Sequence, residues 1–290
     1  LSSYYLATKD NAKAKTYSLA AIKDKNNSSS DAIGALYNLV NISMLEKDNK
    51  AAENYVLDMK KRTAGKDPMV LELSGRFNQE VKKDLALAEK WYKISAESNY
   101  PLAQLNLGLL YDSSSNEEKV KEAFFWYQKA SEQGVIIAQN NLAKMYYTGR
   151  GTKLDKQKAL YWFEKSAAAS NPIAQANLAM MYLTADGVTK DINKAILLLT
   201  KSAEQNNLSA MIKLADLYGK GKETSLDYEK SFYWYNRALE FNSTAAIFHV
   251  GLYYYHGYGV PKDIKKGIEF IKKASDKGYK RAASFLKLLE

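Results

Sequence analysis

Few residues of this chain have the types and spacing that enzyme chemistry needs. The two histidines, His249 and His256, lie seven positions apart on one predicted helix, whereas metal-binding histidines on a helix usually lie at i and i+4. We therefore predict a structural or surface role for both. Glycine pairs around Arg150 and Lys220 resemble a phosphate-binding loop, but they recur at a fixed place in a repeat, and a turn explains them. With no nucleophile-elbow or Walker A motif and no cysteine, we predict no catalytic residue, metal or cofactor.

The composition is that of an ordinary globular protein with a surplus of basic residues. Hydrophobic residues make up 46% of the chain and charged residues 26%, and the formal net charge is +10. No run reaches the roughly 18 apolar residues that a membrane span needs. A basic surplus can indicate nucleic acid or another anionic surface, so its distribution along the chain matters.

A repeat of 36 residues explains that distribution. The blocks that begin at Ala138 and Ala174 are in this register, and three columns recur with it. A small-residue column comprises Ala103, Ala138, Ala174, Ala210, Ala246 and Ala282. A tyrosine column comprises Tyr111, Tyr146, Tyr182, Tyr218 and Tyr254. A tryptophan column comprises Trp91, Trp126, Trp162, Leu198, Trp234 and Phe270. Such coincidence predicts a helical repeat protein.

Each repeat predicts a pair of helices. Ala174, Leu178 and Tyr182 lie on one face of a first helix. A glycine turn follows, as at Gly257 and Gly259, and then an aspartate that should cap a second helix. The aspartate column comprises Asp10, Asp48, Asp84, Asp155, Asp191, Asp227 and Asp263, with Lys119 in the same register. We predict eight second helices, sixteen or seventeen helices altogether, no sheet, and a core that includes most of the tyrosine and tryptophan columns.

The pattern A-x3-L-x3-Y-x2-G-x-G-V-x3-D-x3-A-x2-W resembles the Sel-like repeat (SLR), a branch of the tetratricopeptide superfamily. The match is best over residues 136–290, and it departs from the pattern at Ala185 and Leu198. The resemblance implies an all-α, right-handed superhelical solenoid of antiparallel helix pairs with a concave inner face. Residues 1–100 look like shorter tetratricopeptide-type pairs and residues 101–290 like Sel-like repeats, together in one continuous solenoid.

The resemblance also implies a function. Many bacterial relatives are exported and act in host interaction, in exopolysaccharide assembly or as immunity proteins against secreted toxins. We therefore expect a non-catalytic bacterial scaffold, periplasmic or secreted, that binds a protein or peptide partner. The alternative is an envelope or exopolysaccharide-assembly scaffold that binds carbohydrate or an anionic surface.

Nucleic acid is disfavoured as a partner. The basic column comprises Lys129, Lys165, Lys201, Arg237 and Lys273. Each of these residues falls near the predicted C-terminal end of a second helix, where a cation interacts favourably with the helix dipole.

The predicted binding site is the concave groove lined by the first helices. Large apolar side chains and a few charges there are not required by the core columns, and such clusters are typical of interfaces. The predicted groove residues are Leu109, Asn140, Lys144, Tyr147, Met180, Leu183, Ile212, Asp216, Phe248, Leu252 and Tyr255.

Overall fold

A computed structural model describes residues 10–24 and 28–289, and every regular element in these ranges is helical, as predicted. The sixteen α-helices in these ranges are α1 (Asn11–Lys23), α2 (Ser29–Leu45), α3 (Asn49–Arg62), α4 (Pro68–Phe77), α5 (Leu85–Glu97), α6 (Pro101–Asp112), α7 (Glu117–Glu132), α8 (Ile136–Thr148), α9 (Lys156–Ala168), α10 (Pro172–Thr184), α11 (Ile192–Glu204), α12 (Leu208–Lys220), α13 (Tyr228–Ala238), α14 (Thr244–His256), α15 (Ile264–Asp276) and α16 (Lys280–Lys287). A π-helical segment, Asn78–Lys82, follows α4, and a 3-10 turn, Leu239–Phe241, follows α13.

The helices form two compact units. Unit 1 comprises Leu1–Ala138 with Gly149–Lys153, and unit 2 comprises Gln139–Thr148 with Leu154–Glu290. We call the even-numbered helices first helices and the odd-numbered helices second helices. In unit 1, α2, α4 and α6 each pack most extensively against the second helix that follows; in unit 2, α10, α12 and α14 do the same. Each unit is therefore a solenoid of stacked helix pairs. Within the described ranges, no helix is both long and apolar enough to cross a membrane.

The aspartate column caps the second helices, as predicted. In each of seven second helices the aspartate Oδ1 accepts a hydrogen bond of 2.9–3.1 Å from the backbone N–H three residues later. In unit 2 the backbone N–H of the same aspartate donates to the carbonyl of the preceding tyrosine column, for example from Asp263 to Tyr254 at 2.8 Å. The cap therefore fixes both the start of the second helix and its distance from the first helix.

Helix α7 begins differently. Its N-cap is Asn116, whose side chain accepts hydrogen bonds from the backbone N–H groups of Glu118 and Lys119. Lys119, in the register of the aspartate column, therefore lies inside the helix. Its ammonium instead forms an ion pair with Glu89, at 2.9 Å. The helix starts one turn earlier because a capping residue is available there and a lysine cannot accept the amide hydrogen bonds.

The small-residue column is completely buried, with Ala103, Ala138, Ala174, Ala210, Ala246 and Ala282 each 0% exposed. The prediction for the tryptophan column needs a correction, because most of its members are only half-buried. The residue that follows each of them in sequence is at most 2% exposed, in the column Tyr92, Tyr127, Phe163, Leu199, Tyr235 and Ile271. Consecutive residues on an α-helix point in directions about 100° apart, so only one of the two can point into the centre of the pair.

A close approach between the two helices of a pair accommodates this second column. Opposite it, the first helices α4, α6 and α14 carry glycine. A Cβ built on Gly108 would lie 2.7 Å from ring carbons of Tyr127, and one built on Gly75 would lie 2.5 Å from ring carbons of Tyr92. Any larger residue at these glycines would therefore push the helices apart.

A second repeated contact joins the two helices of each pair in unit 2. The ammonium group of a lysine near the start of each second helix of unit 2 lies over the ring of the tyrosine column, at 4.0–5.3 Å from the centroid. The pairs are Lys158 with Tyr146, Lys194 with Tyr182, Lys230 with Tyr218, and Lys266 with Tyr254. Part of the basic surplus is therefore used in cation–π contacts within the fold.

We expect Asp191→Ala and Asp263→Ala each to lower the free energy of unfolding by about 1 kcal/mol, because each removes the acceptor of an N-cap hydrogen bond. Denaturant titration followed by circular dichroism measures the change. Asp191→Asn and Asp263→Asn are the matched controls, since asparagine also caps helices, and they should stay close to the parent. Equal losses in the alanine and asparagine variants would show that the caps do not stabilise the helices.

Candidate protein-binding surface

The first helices of unit 2 leave one stripe of side chains uncovered. On α10 this stripe contains Ile173, Asn177, Met180 and Thr184, spaced i, i+4, i+7 and i+11, while Ala174 and Leu178 beside it are buried. The same positions are exposed or half-buried on α8, α12 and α14. We call these positions, together with the neighbouring half-buried Tyr147, Ile212 and Tyr255, the groove surface; its principal residues are Asn141, Lys144, Tyr147, Ile173, Asn177, Met180, Ile212, Lys213, Asp216, His249, Leu252 and Tyr255.

Most of the residues predicted to line the groove have exposed surface. Lys144 is exposed, and Tyr147, Met180, Ile212, Asp216, Leu252 and Tyr255 are half-buried. Leu109, on α6, belongs to unit 1 and is 43% exposed. That these residues bind a partner stays a prediction.

Three of the predicted groove residues are buried: Asn140 is 5% exposed, Leu183 7% and Phe248 6%. Phe248 packs in a cluster with Ile271 and Ala282, and Asn140 Oδ1 accepts a hydrogen bond of 3.1 Å from Asn177. These side chains point towards neighbouring helices, so the exposed area of the surface is provided by other residues.

Two rows of the surface were not predicted. A row is one position repeated on successive first helices. The first row contains Ile173, which is 55% exposed. The second row contains Asn141, Asn177, Lys213 and His249. Relative to Met180, Ile173 lies at i−7 and Asn177 at i−3, and both spacings place residues on one helical face. Helical periodicity counted back from the predicted column would have found both rows.

Tyr147 is a structural residue as well as a surface residue. Its hydroxyl donates a hydrogen bond of 2.6 Å to Asp186, which also pairs with the ammonium of Lys156. Its ring makes an edge contact with Phe163, with centroids 6.5 Å apart. Hydrogen bonds from Lys156 and Tyr147 lower the pKa of Asp186. Removal of this tyrosine would therefore change the fold of the loop as well as the surface.

At the end of the groove surface, α12, α13, α14 and the loop after α14 enclose a cavity of about 230 Å³. We call it the tyrosine cavity. Its lining includes Asp216, Tyr228, Tyr235, His249, Leu252, Tyr253, His256 and Tyr258. Rings of this lining stack in parallel pairs: Tyr235 with His249, and Tyr228 with Tyr258, each with centroids 4.5 Å apart.

Asp216 and Lys220 are the charged residues of this cavity lining, and they form an ion pair at 3.0 Å. Burial alone would raise the pKa of Asp216, but hydrogen bonds donated by Tyr235 and Lys220 outweigh burial and lower it. Burial lowers the pKa of His249, which favours the neutral imidazole. A carboxylate among aromatic faces can accept a hydrogen bond from a partner and hold a cationic or aromatic side chain. In the described ranges, no group of three or more His, Asp or Glu residues could hold a metal ion.

Unit 1 contains a different polar feature, the buried carboxyl group of Glu72 on α4. This residue is 1% exposed. Its Oε1 accepts a hydrogen bond of 2.7 Å from Asn106, and its Oε2 has no hydrogen-bond partner among the described residues. Burial raises the pKa of Glu72 to about 7, although Arg76, with Nε 3.9 Å from Oε1, opposes the shift.

Comparison with known proteins identifies the repeat. A family model described as the Sel1 repeat matches residues 73–100, 101–135, 136–171, 172–207, 208–240 and 244–279. The last five segments each contain one first helix and one second helix. The assignment of residues 1–100 to a shorter tetratricopeptide type stays a prediction.

Solved structures share the fold. A Sel1 repeat protein from Oxalobacter formigenes is 24% identical with a TM-score of 0.70, and the alignment covers 100% of this chain and 89% of the other. A protective antigen of uropathogenic Escherichia coli strains, displaying an SLR fold, is 22% identical with a TM-score of 0.72, covering 100% and 67%. An immunity protein from Pseudomonas aeruginosa is 24% identical over 64% of this chain and 68% of the other, but its TM-score of 0.41 is too low to bear on function. At these identities the similarity shows the fold alone.

The buried carboxyl group of Glu72 predicts a pH dependence in the stability of the protein. Its pKa is higher in the folded chain, about 7 against the ordinary 4.5. Stability is therefore greatest below the unfolded-state pKa and falls as the pH rises through the folded-state pKa, by roughly 3 kcal/mol in total. Glu72→Gln should remove this fall, so that the variant is more stable than the parent at about pH 8.

Urea unfolding measured between about pH 4 and pH 8.5 tests this prediction. Glu80→Gln is the matched control, because that side chain is 55% exposed and also lies near Arg76. The control should keep the pH dependence of the parent. If Glu72→Gln keeps it as well, the carboxyl group of Glu72 is not the cause.

Proposed function

Since the chain belongs to the Sel1 repeat family, whose members are typically non-catalytic scaffolds that bind proteins, we propose that it holds a protein or peptide partner on the groove surface of unit 2. In this proposal the chain uses no cofactor, and its contribution is the spacing and shape of a preformed surface.

The observation that carries the proposal is the exposed apolar area on successive first helices. Ile173 is more than half exposed, and Met180 and Leu252 are half-buried on the same surface. Lys144, Lys213 and Asp216 supply charges among them. Apolar anchors with interspersed polar groups are the usual composition of a protein interface.

The tyrosine cavity gives this surface a place for an anchoring side chain. Asp216 and Leu252 belong both to the cavity and to the groove surface, so a partner that lies along the first helices reaches the cavity. Its aromatic walls favour an aromatic side chain, and the paired charges of Asp216 and Lys220 can bind a polar group on it. The net charge of the whole chain, +10, would meanwhile accelerate the encounter with an acidic partner.

A finer version of the proposal makes the chain an exported bacterial protein that inhibits a secreted effector. Its support is the family resemblance alone. Such an inhibitor should bind one effector at a stoichiometry of one to one and block its activity in a purified mixture, whereas an assembly scaffold should bind without inhibition.

We expect the double substitution Ile173→Ala with Met180→Ala to weaken partner binding at least tenfold. These side chains lie on one stripe of α10, and removal of interface anchors typically costs more than about 1 kcal/mol each. The partner is first identified by crosslinking to the parent chain. It is then purified separately, and titration calorimetry measures its affinity for the parent and for the variant. Circular dichroism should show little change in the unfolding midpoint, because Ile173 is mostly exposed.

Tyr161→Ala with Tyr233→Ala is the matched control. These rings are 50% and 53% exposed, on the second helices α9 and α13, and the control should bind like the parent. If the control loses binding while the α10 variant keeps it, the partner binds the second helices, and the groove proposal is wrong.

A further inference from the structure

One repeat lacks the aromatic side chain that the others carry. In the tryptophan column, α5, α7, α9 and α13 carry tryptophan and α15 carries Phe270, whereas α11 carries Leu198. The backbone of α11 is otherwise regular, with its N-cap at Asp191 and a completely buried Ala195. The helix is therefore placed as in the other repeats, but its side chain in this column is smaller.

One tryptophan of this column contacts the preceding second helix. Trp91 on α5 shows this contact, because the ammonium of Lys60, on α3, lies 4.2 Å from the centre of its ring. Trp234 on α13 is 8% exposed, so its indole is almost fully covered. A leucine in this column should leave part of that space empty.

The structure has a cavity at this place. It has a volume of about 550 Å³ and is lined by α9, α10 and α11, with Leu198 in its wall. Leu178, which is 3% exposed, and Ala167 give it further apolar surface. The charged side chains of Lys194, Lys201, Glu164 and Glu204 also line it. We call it the Leu198 cavity.

Hydrogen bonds hold the lining in place without filling the cavity. Gln205 donates to the side chain of Gln175 at 2.9 Å, and Gln175 donates to the backbone carbonyl of Ala167 at 3.3 Å. The ammonium of Lys194 lies over the ring of Tyr182 and is hydrogen-bonded to its hydroxyl. Gln175, Gln205 and Lys194 are therefore held at the wall by partners of their own, which favours a preformed cavity.

We propose that the Leu198 cavity binds an aromatic side chain presented by a partner protein, with the indole ring of tryptophan as the best fit. The repeat itself supplies the model for this occupant, because tryptophan stands at the equivalent position on α5, α7, α9 and α13. Apolar wall residues would cover the ring, and the charged rim would bind the polar groups beside it. This site is lined by α9 and α11 with Gln175 and Leu178 of α10, and it shares no residue with the groove surface.

The probe for this site is N-acetyl-L-tryptophanamide, an uncharged tryptophan derivative whose amino and carboxyl groups are both blocked. Titration of the 15N-labelled parent chain, followed by NMR, should shift the amide signals of Leu178, Lys194, Leu198 and Lys201 in a saturable way. N-acetyl-L-leucinamide should bind at least fivefold more weakly. Shifts that do not saturate, or that map to other residues, would overturn the proposal, and this test needs only the parent chain.

Two substitutions of adjacent leucines sharpen the test. Leu198→Trp should fill the cavity from within, raise the unfolding midpoint and reduce the affinity for the probe at least tenfold. Leu197→Trp is the matched control, because Leu197 is 55% exposed and a tryptophan there adds an indole without filling the cavity. It should bind the probe like the parent. Equal binding by the parent and a folded Leu198→Trp variant would show that the probe binds elsewhere.

Discussion

The close contact between the two helices of each pair is the constraint on which the rest of the fold depends. A glycine of the first helix faces a large, fully buried side chain of the second helix, as Gly108 faces Tyr127 and Gly251 faces Ile271. Small residues let the backbones approach, and the large side chain then fills the remaining volume. The pair of α4 and α5 has the same contact, between Gly75 and Tyr92, so the contact recurs in both units.

The other repeated contacts depend on this approach. Asp263 can cap its helix and also donate to the carbonyl of Tyr254 only because the two helices of the pair are close together. The same closeness places Lys266 over the ring of Tyr254, 4.0 Å from its centroid. Stacking of the pairs covers most faces of each first helix and leaves one stripe, which in unit 2 is the groove surface.

Sequence alone predicted the parts of this fold that depend on local chemistry. Aspartates such as Asp191 cap second helices, and the alanine column is buried, because helix geometry and side-chain size decide both.

Sequence did not tell which of two adjacent large residues, Trp162 or Phe163, lies in the centre of the pair, since both are apolar and one residue apart. It also placed Leu183 and Phe248 in the groove, although neighbouring helices cover both. Such differences depend on the direction from which the next pair approaches, and no single helix contains that information. The Leu198 cavity was visible in the sequence only as an exception in one column.

The sign of one stability change tests the central contact most directly. Alanine normally stabilises a helix relative to glycine, by about 1 kcal/mol. Gly34, on α2, has no atom within 4 Å of a built Cβ, so Gly34→Ala should raise the free energy of unfolding by that amount. Gly108→Ala should lower it, because the new methyl group would lie 2.7 Å from the buried ring of Tyr127. If Gly108→Ala stabilises the protein as Gly34→Ala does, the helices of the pair are not held at this contact.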